Sequence, residues 1–182
     1  MSMNVSLICS NYVHVYAMNS LASTKLVVIM IRTAGYTIFF FSIVSACLPG
    51  WHPFNNSCYH VSIEDESWMD GMKMCEIHGG YLVHIETAEE DNFITQQMQA
   101  YALHDIWVGG SDWTNEGTWV WEPEGKTFQY FNFAPHKPNN AHGQNCLSKA
   151  MSHNYQWDDE DCDDYMEYIC EKANTNIGSL VG

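Results

Sequence analysis

The spacing of apolar residues predicts a first helix that begins after Ser67. The segment Ser67–Asp70 has the form of a capping box, in which a serine hydroxyl accepts a hydrogen bond from a backbone N–H in the first turn. The apolar stripe that follows consists of Trp68, Met72 and Cys75. The pair Gly79-Gly80 ends the pattern, because glycine is a common helix terminator.

A second helix is predicted at about 87–101, after a short strand at 81–85. The strand is indicated by alternation in the sequence Tyr-Leu-Val-His-Ile. Thr87–Glu90 is a second capping box. The apolar positions that continue at helical spacing are Phe93, Ile94, Met98 and Tyr101.

From residue 106 onward the pattern changes to short apolar runs separated by Gly, Pro, Asn and Asp, which is typical of strands joined by loops. The predicted strands are 106–109, 118–121, 146–150 and 168–170. The connection 122–145 is longer than most loops and contains Pro123, Pro135 and Pro138. Loops of this length in a compact domain are usually functional, so this segment is the candidate ligand loop.

Residues 1–46 contain no acidic residue and are predicted to be a leader. Thr33–Ala46 is an apolar run that follows Arg32 and ends in small residues, as in a signal peptide. A leader that begins at Met30 is the alternative to one that begins at residue 1. A membrane anchor over Leu26–Ala46 is the rival interpretation, and the charge of Arg32 argues against it. The predicted organisation is therefore a leader at 1–46, a domain at 47–173 and a polar tail at 174–182.

Charge limits the partners of this chain. Residues 47–182 carry five lysines, no arginine and 22 Asp and Glu residues, a net charge of −17. Such a chain repels phosphate, which excludes nucleic acid and anionic membrane surfaces as partners and leaves cations and neutral ligands. The sequence also contains no nucleophile–base motif and no phosphate-binding loop, so we expect no enzymatic activity.

The cysteine count indicates disulfides and an oxidising compartment. Cys9 lies in the predicted leader, and six cysteines follow it, an even number without the close C-x-x-C pairs of zinc sites. The six are Cys47, Cys58, Cys75, Cys146, Cys162 and Cys170. We therefore expect a secreted, extracellular protein, with 15 pairings open to the six cysteines.

The chain resembles a C-type lectin-like domain over 47–172. The residues that carry the resemblance are Gly50-Trp51, Trp68, Cys75, Gly79–Val83, Trp107–Gly110, Trp119–Trp121, Lys137–Asn140, Cys146, Trp157–Asp159, Cys162 and Cys170. The single-domain layout is similar to that of perlucin-like invertebrate lectins. The resemblance implies an α+β fold with two helices, antiparallel sheets, a long ligand-binding loop and the disulfides Cys75–Cys170, Cys146–Cys162 and Cys47–Cys58. The four tryptophans Trp107, Trp119, Trp121 and Trp157 are expected to pack in the core.

The resemblance also implies a primary calcium and carbohydrate site around a cis proline, Pro138. The sugar-binding positions are occupied by Lys137, Asn139, Gln144, Asp158 and Asp159, and all of these except Lys137 are expected to bind the metal. Family members usually have an acid or amide, Glu and Asn where this chain has Lys137, Gln144 and Asp158. The formal charge of the five positions is thus −1 instead of −3, so calcium is an expected cofactor at a weakened site.

A second calcium site of the family is implied at Asp112, Glu116, Asn140 and Asn145, with two acids retained. From the primary site we expect a calcium-dependent lectin that binds mannose-type glycans poorly, because Lys137 removes an acceptor, and that accepts acidic glycans. The alternative is a C-type lectin-like module without sugar binding, which contacts a protein or a calcium mineral through its acidic surface. The oligomeric state remains open.

Overall fold

The computed structural model describes residues 47–174 in full, together with the backbone of four strands that precede them. The described residues divide into two compact units, one within Met1–Asn56 and Asn174–Gly182 and one formed by Ser57–Ala173. The predicted tail lies outside the described residues apart from Asn174, and Cys9 also lies outside them.

The first unit contains an antiparallel sheet with strands in chain order. These strands are β1 (Leu7–Ile8), β2 (Val13–Asn19), β3 (Thr24–Thr33) and β4 (Tyr36–Ser45), and the short strand β5 (His52–Phe54) comes later in the same unit. The apolar run that suggested a signal peptide therefore adopts strand geometry over most of its length. Its removal as a leader stays a prediction. No helix among the described residues has the length and hydrophobicity needed to cross a membrane.

The second unit combines two helices with a mixed sheet. Its elements are β6 (Ser57–Glu66), α1 (Trp68–Ile77), β7 (Tyr81–Leu82), α2 (Ala88–Tyr101), β8 (Asp105–Ser111), β9 (Val120–Trp121), β10 (Lys126–Thr127), β11 (Cys146–Ala150), a 3₁₀ turn (Met151–His153), β12 (Gln156–Glu160) and β13 (Met166–Ala173). Both helices are those predicted.

Local hydrogen bonds explain where the helices begin. Oγ of Ser67 accepts from the N–H of Asp70, and Oγ1 of Thr87 accepts from the N–H of Glu90, so both predicted N-caps are confirmed. The reciprocal bond of a capping box is replaced in each case, since the Asp70 carboxylate accepts from the Ser67 hydroxyl and the Glu90 carboxylate from the N–H of Glu86. Helix α1 ends before Gly79, which has a φ of 75°. The side chain of Trp68 is buried and its indole N–H donates to the carbonyl of Val108, which fixes α1 on β8.

The sheet differs from the sequence expectation in three respects. Strand β13 runs parallel to β8, although the other strand pairs of this unit are antiparallel. The strand predicted at 81–85 is only two residues long, because beyond Leu82 single bonds replace the ladder: Val83 donates to Ile169 and accepts from Gly109. The ten-residue β6 and the acid-containing β12 were not predicted, because their buried positions do not alternate.

Disulfides and buried tryptophans stabilise the second unit. Cys75 is bonded to Cys170 and Cys146 to Cys162, as the resemblance implies, and Cys47 and Cys58 are each disulfide-bonded as well. Trp107, Trp119, Trp121 and Trp157 are all buried, as predicted.

The buried ion pair joins α2 to β11 and β12. Nζ of Lys149 lies 3.0 Å from Oδ1 of Asp91, and the Lys149 side chain is fully buried. The same carboxylate oxygen accepts from the indole N–H of Trp157 at 2.9 Å. Trp157 precedes Asp158 and Asp159 directly, so this contact fixes the position of β12 below the candidate site.

Candidate functional site

The candidate ligand loop bends at a cis peptide bond between Lys137 and Pro138, as expected from the resemblance. A second cis bond, between Glu122 and Pro123, was not predicted and lies at the other end of the loop. The loop also contains β10 (Lys126–Thr127), so it is more ordered than its composition indicates.

Asp159 on β12 anchors the residues that follow the cis proline. Its carboxylate accepts the backbone N–H of Asn139 at 2.9 Å and also that of Asn140. Asp159 is fully buried, so these bonds compensate for the desolvation of its charge. The side chain of Asn139 is directed into the loop itself, where Oδ1 accepts from the N–H of Ala141.

Asp158 forms an ion pair with Lys137 inside the primary site. Nζ of Lys137 lies 2.6 Å from Oδ1 of Asp158, and the two side chains are only 17% and 2% exposed. Nε2 of His153, at the end of the 3₁₀ turn, lies 3.0 Å from the other oxygen of the same carboxylate. Both oxygens of Asp158 therefore face a nitrogen of the protein.

Burial and the ion pair have opposite effects on the pKa of Asp158. Burial raises the pKa of Asp158, while the Lys137 ammonium acts in the opposite direction. Burial also raises the pKa of Glu160, and the charge of Asp158 adds to that effect. The Lys137 ammonium thus lowers the pKa of both carboxyl groups, against the effect of burial.

Gln144 contacts a residue that the sequence analysis did not single out. Its Nε2 donates to Oε2 of Glu160 at 2.6 Å. Its Oε1 is buried and accepts no hydrogen bond from the described residues. An amide oxygen without a donor is suited to a metal ion, so Gln144 retains one feature of a calcium ligand.

The second site places the carboxyl groups of Asp112 and Glu116 near each other, where the charge of Asp159 also acts on both. Oδ2 of Asp112 accepts the N–H of Gly117 at 2.8 Å, whereas its Oδ1 is buried and accepts from no N–H or hydroxyl of the described residues. The Glu116 carboxyl lies close enough to Asp112 for the negative charge of Asp112 to raise the pKa of Glu116. Burial raises the pKa of Asp112, and the negative charge of Asp159 raises it further.

The loop reaches this second site mainly through its backbone. The N–H of Asp112 donates to the carbonyl of Asn145 at 3.2 Å. The side-chain amide of Asn145 donates to the carbonyl of Gly143 at 2.7 Å, and Asn140 is exposed. Partial desolvation and the charges of Asp112 and Asp159 raise the pKa of Glu116 as well, so the acids of this site repel one another.

The two sites differ in how well they suit calcium, which prefers six to eight oxygen ligands. The primary site contains an ammonium and an imidazole against Asp158, and neither a protonated lysine nor a histidine nitrogen is an oxygen ligand. The second site contains an unpartnered buried carboxylate oxygen and mutually repelling acids, which a divalent cation would stabilise. Over residues 47–174 no cluster of three His, Cys, Asp or Glu side chains has metal-site geometry.

The structure brings together most of the residues predicted from the sequence and adds two. His153 and Glu160 were missed. Neither residue belongs to the family motif that the sequence resembles, so no signal in the sequence pointed to them. The pairing of β11 with β12 brings them to the site: Cys146, two residues after Gln144, lies opposite Glu160, and the 3₁₀ turn with His153 joins the two strands.

Comparison with known proteins agrees with this architecture. The family model of the lectin C-type domain matches residues 48–172. A perlucin-like protein of Mytilus galloprovincialis is 34% identical in an alignment of 146 residues, and the match covers 74% of this chain and 94% of that protein. The human scavenger receptor C-type lectin carbohydrate-recognition domain is 32% identical with a TM-score of 0.64, over 70% of this chain and 98% of that one.

A third similarity concerns a protein described as a calcium-independent type II antifreeze protein. It is 27% identical with a TM-score of 0.63, and the match covers 70% of this chain and 94% of that one. The fold, the cis proline, the disulfides and these similarities lead to one assignment: the chain belongs to the C-type lectin domain family, as a C-type lectin-like domain protein.

Proposed function

We propose that this chain is a secreted, glycan-binding lectin in which the ammonium of Lys137 takes the place of a tightly bound calcium ion at the primary site. The observation that carries the proposal is the 2.6 Å ion pair between Lys137 and Asp158. The lectin relatives support glycan binding, including a carbohydrate-recognition domain at 32% identity.

Calcium must compete with Lys137 at the primary site. To bind Asp158, a calcium ion has to displace an ammonium that is already held in a largely buried position. The metal would then meet Asn139, Gln144, Asp158 and Asp159, of which only the last two are charged. Because calcium affinity rises with the number of charged ligands, this site should bind calcium weakly.

Calcium is better supported at the second site, where Asp112, Glu116 and Asp159 bring three negative charges together. A divalent ion at this position would accept the free Oδ1 of Asp112 as a ligand and reduce the repulsion among the acids. Calcium would therefore stabilise the domain without bridging a sugar to the primary site. The function is binding rather than catalysis.

A glycan array measured in calcium and in excess chelator tests this proposal. We expect weak signals for mannose-type glycans under both conditions and retention of the other glycan signals in chelator. Strong mannose binding that requires calcium would contradict the role of Lys137. The absence of any glycan signal would contradict the lectin function itself.

The second candidate is a module without sugar binding that contacts a protein or a calcium mineral. It is favoured by the net charge of −17 after residue 46 and by the similarity to a calcium-independent antifreeze protein. Adsorption to calcium carbonate, with no signal on the glycan array, would support this candidate over the first.

A further inference from the structure

We propose that a cleft between α1 and the turn that joins β9 to β10 binds a small organic cation with an apolar chain. The cleft has a volume of about 440 Å³, and small-molecule sites typically measure roughly 300–1,000 Å³. Its lining differs from the residues of both candidate calcium sites. The inference goes beyond the proposed glycan-binding function and does not depend on it.

Apolar side chains form one part of the cleft. Met69 and Met72 are three positions apart on α1, so they lie on the same face of the helix, and Met69 is 60% exposed. Leu82 of β7 and Pro123 of the turn also line the cleft. Methionine side chains are flexible and polarisable, so they can adapt to the shape of an apolar ligand.

The turn places negative charge next to this apolar surface. Glu122 and Glu124 flank Pro123, and both line the cleft. Oε2 of Glu124 lies 3.7 Å from Nε2 of His84, and Nε2 lies 2.9 Å from the carbonyl oxygen of Glu122. Burial lowers the pKa of His84, so its imidazole is neutral at neutral pH and does not cancel the charge of Glu124.

The lysines near the cleft are already paired with acids. Nζ of Lys73 lies 2.5 Å from Oε2 of Glu76, and both residues line the cleft. Lys126 is paired with Glu86, which raises the pKa of its ammonium, and the charge of Glu124 acts in the same direction. The two lysines thus stand against four acids, including the two of the turn, and the surroundings of the cleft keep a net charge of −2.

An apolar wall beside an excess of negative charge suits a ligand that carries a positive group on an apolar chain. The chain would displace water from Met69 and Met72, which is favourable because apolar surface is buried. The positive group would be attracted to Glu122 and Glu124. An anion with the same chain would be repelled by these two carboxylates.

The test uses octyltrimethylammonium as the probe and octanoate, which has a chain of similar length and the opposite charge, as the comparison. Both are titrated into the isotope-labelled unmodified protein, and binding is followed by NMR of the backbone amides. We expect saturable shifts at Gly80, Leu82 and Glu124 with the cation. Octanoate should bind at least about tenfold more weakly.

Two variants with matched controls test the contacts. Glu124→Gln should weaken binding of the cation by about threefold, because it removes one exposed charge beside the cleft. Met69→Gln should weaken it as well, because an amide replaces the apolar end of the side chain. The controls Glu89→Gln and Met151→Gln, at an exposed acid and an exposed methionine outside the lining, should bind as the unmodified protein does. All four substituted side chains are exposed, so the melting temperatures should stay similar.

Equal affinity for octyltrimethylammonium and octanoate would overturn the inference. Shifts that spread over the acidic surface without saturating would overturn it too, since they would show only diffuse attraction of cations. Unchanged binding by both Glu124→Gln and Met69→Gln would have the same meaning. Each of these results would leave the glycan-binding function intact, because the glycan array tests that function separately.

Discussion

Lys137 and Asp158 form an ion pair across the primary site. The ammonium and carboxylate lie 2.6 Å apart, one beside the cis proline and the other on β12. Each residue differs from the one that the resemblance leads us to expect at its position, and the structure joins the two in one ion pair. The ion pair joins the ligand loop to the sheet, as a calcium ion would do from the same positions.

The first prediction concerns calcium affinity at the primary site. The double variant Lys137→Glu with Gln144→Glu removes the competing ammonium and adds two anionic ligands, so calcium should bind at least about tenfold more tightly, or about 1.4 kcal/mol. Calorimetric titration with calcium measures this change. The control is Lys73→Glu, a charge reversal at an exposed lysine of α1 that pairs only with Glu76.

The unmodified protein should gain thermal stability from calcium mainly at high concentration, since ligand stabilisation follows RT ln(1 + [L]/Kd). Full stabilisation by micromolar calcium would show that Lys137 does not obstruct the primary site. Equal calcium affinity in the double variant and the unmodified protein would contradict the prediction in the same way.

The second prediction concerns mannose. With Lys137 beside Pro138, the hydroxyl pair of mannose lacks an acceptor, so the unmodified protein should bind mannose weakly in saturating calcium. The same double variant should gain about tenfold or more in mannose affinity. Calorimetric titration of both proteins with mannose measures this change. Equal mannose affinity of the two proteins would show that mannose binds elsewhere on the domain.

The third prediction concerns the second calcium site. Asp112→Asn removes one of three neighbouring carboxyl groups, so the calcium-free protein should melt at the same temperature or higher. The increase in melting temperature caused by calcium should fall to less than about half. Asp163→Asn, at an exposed acid in another loop, is the control and should behave as the unmodified protein does. An unchanged response of Asp112→Asn would exclude this residue as a calcium ligand.

The fourth prediction concerns pH and Glu171. Burial is the main cause that raises the pKa of this carboxyl from 4.5 to about 7, and the neighbouring charge of Glu90 adds to it. Between pH 4.5 and 7 the folded state therefore holds a proton that the unfolded state has lost. The contribution of Glu171 to the free energy of unfolding is full below about pH 4.5 and falls as pH rises to 7, by on the order of 3 kcal/mol.

Glu171→Gln should flatten this decline, because glutamine does not titrate and can still accept the N–H of His84. Urea unfolding at pH 5 and pH 7.5 measures the difference for both proteins. Glu167→Gln, at a more exposed acid on the same strand, should retain the decline. An identical decline in Glu171→Gln and the unmodified protein would assign the pH dependence to other groups.

Sequence alone could predict the features that depend on short-range interactions. Both helices were predicted to within one residue at their starts, because Ser67 and Thr87 bond to backbone groups three residues away. The cis proline and the residues of the sites followed from the family resemblance. In contrast, β6 and β12 were missed. Which of their side chains are buried depends on their pairing with β13 and β11, and not on an alternation in their own sequences.

Only the tertiary structure determined what the substituted residues do together. Lys137 and Asp158 are 21 positions apart, and the sequence left open whether Lys137 points into the site or away from it. Folding places both side chains in a region of low exposure, where an isolated charge is costly and an opposite charge at 2.6 Å is strongly favoured. The sequence thus determined which groups are present at the site, and the burial imposed by the fold determined that they pair.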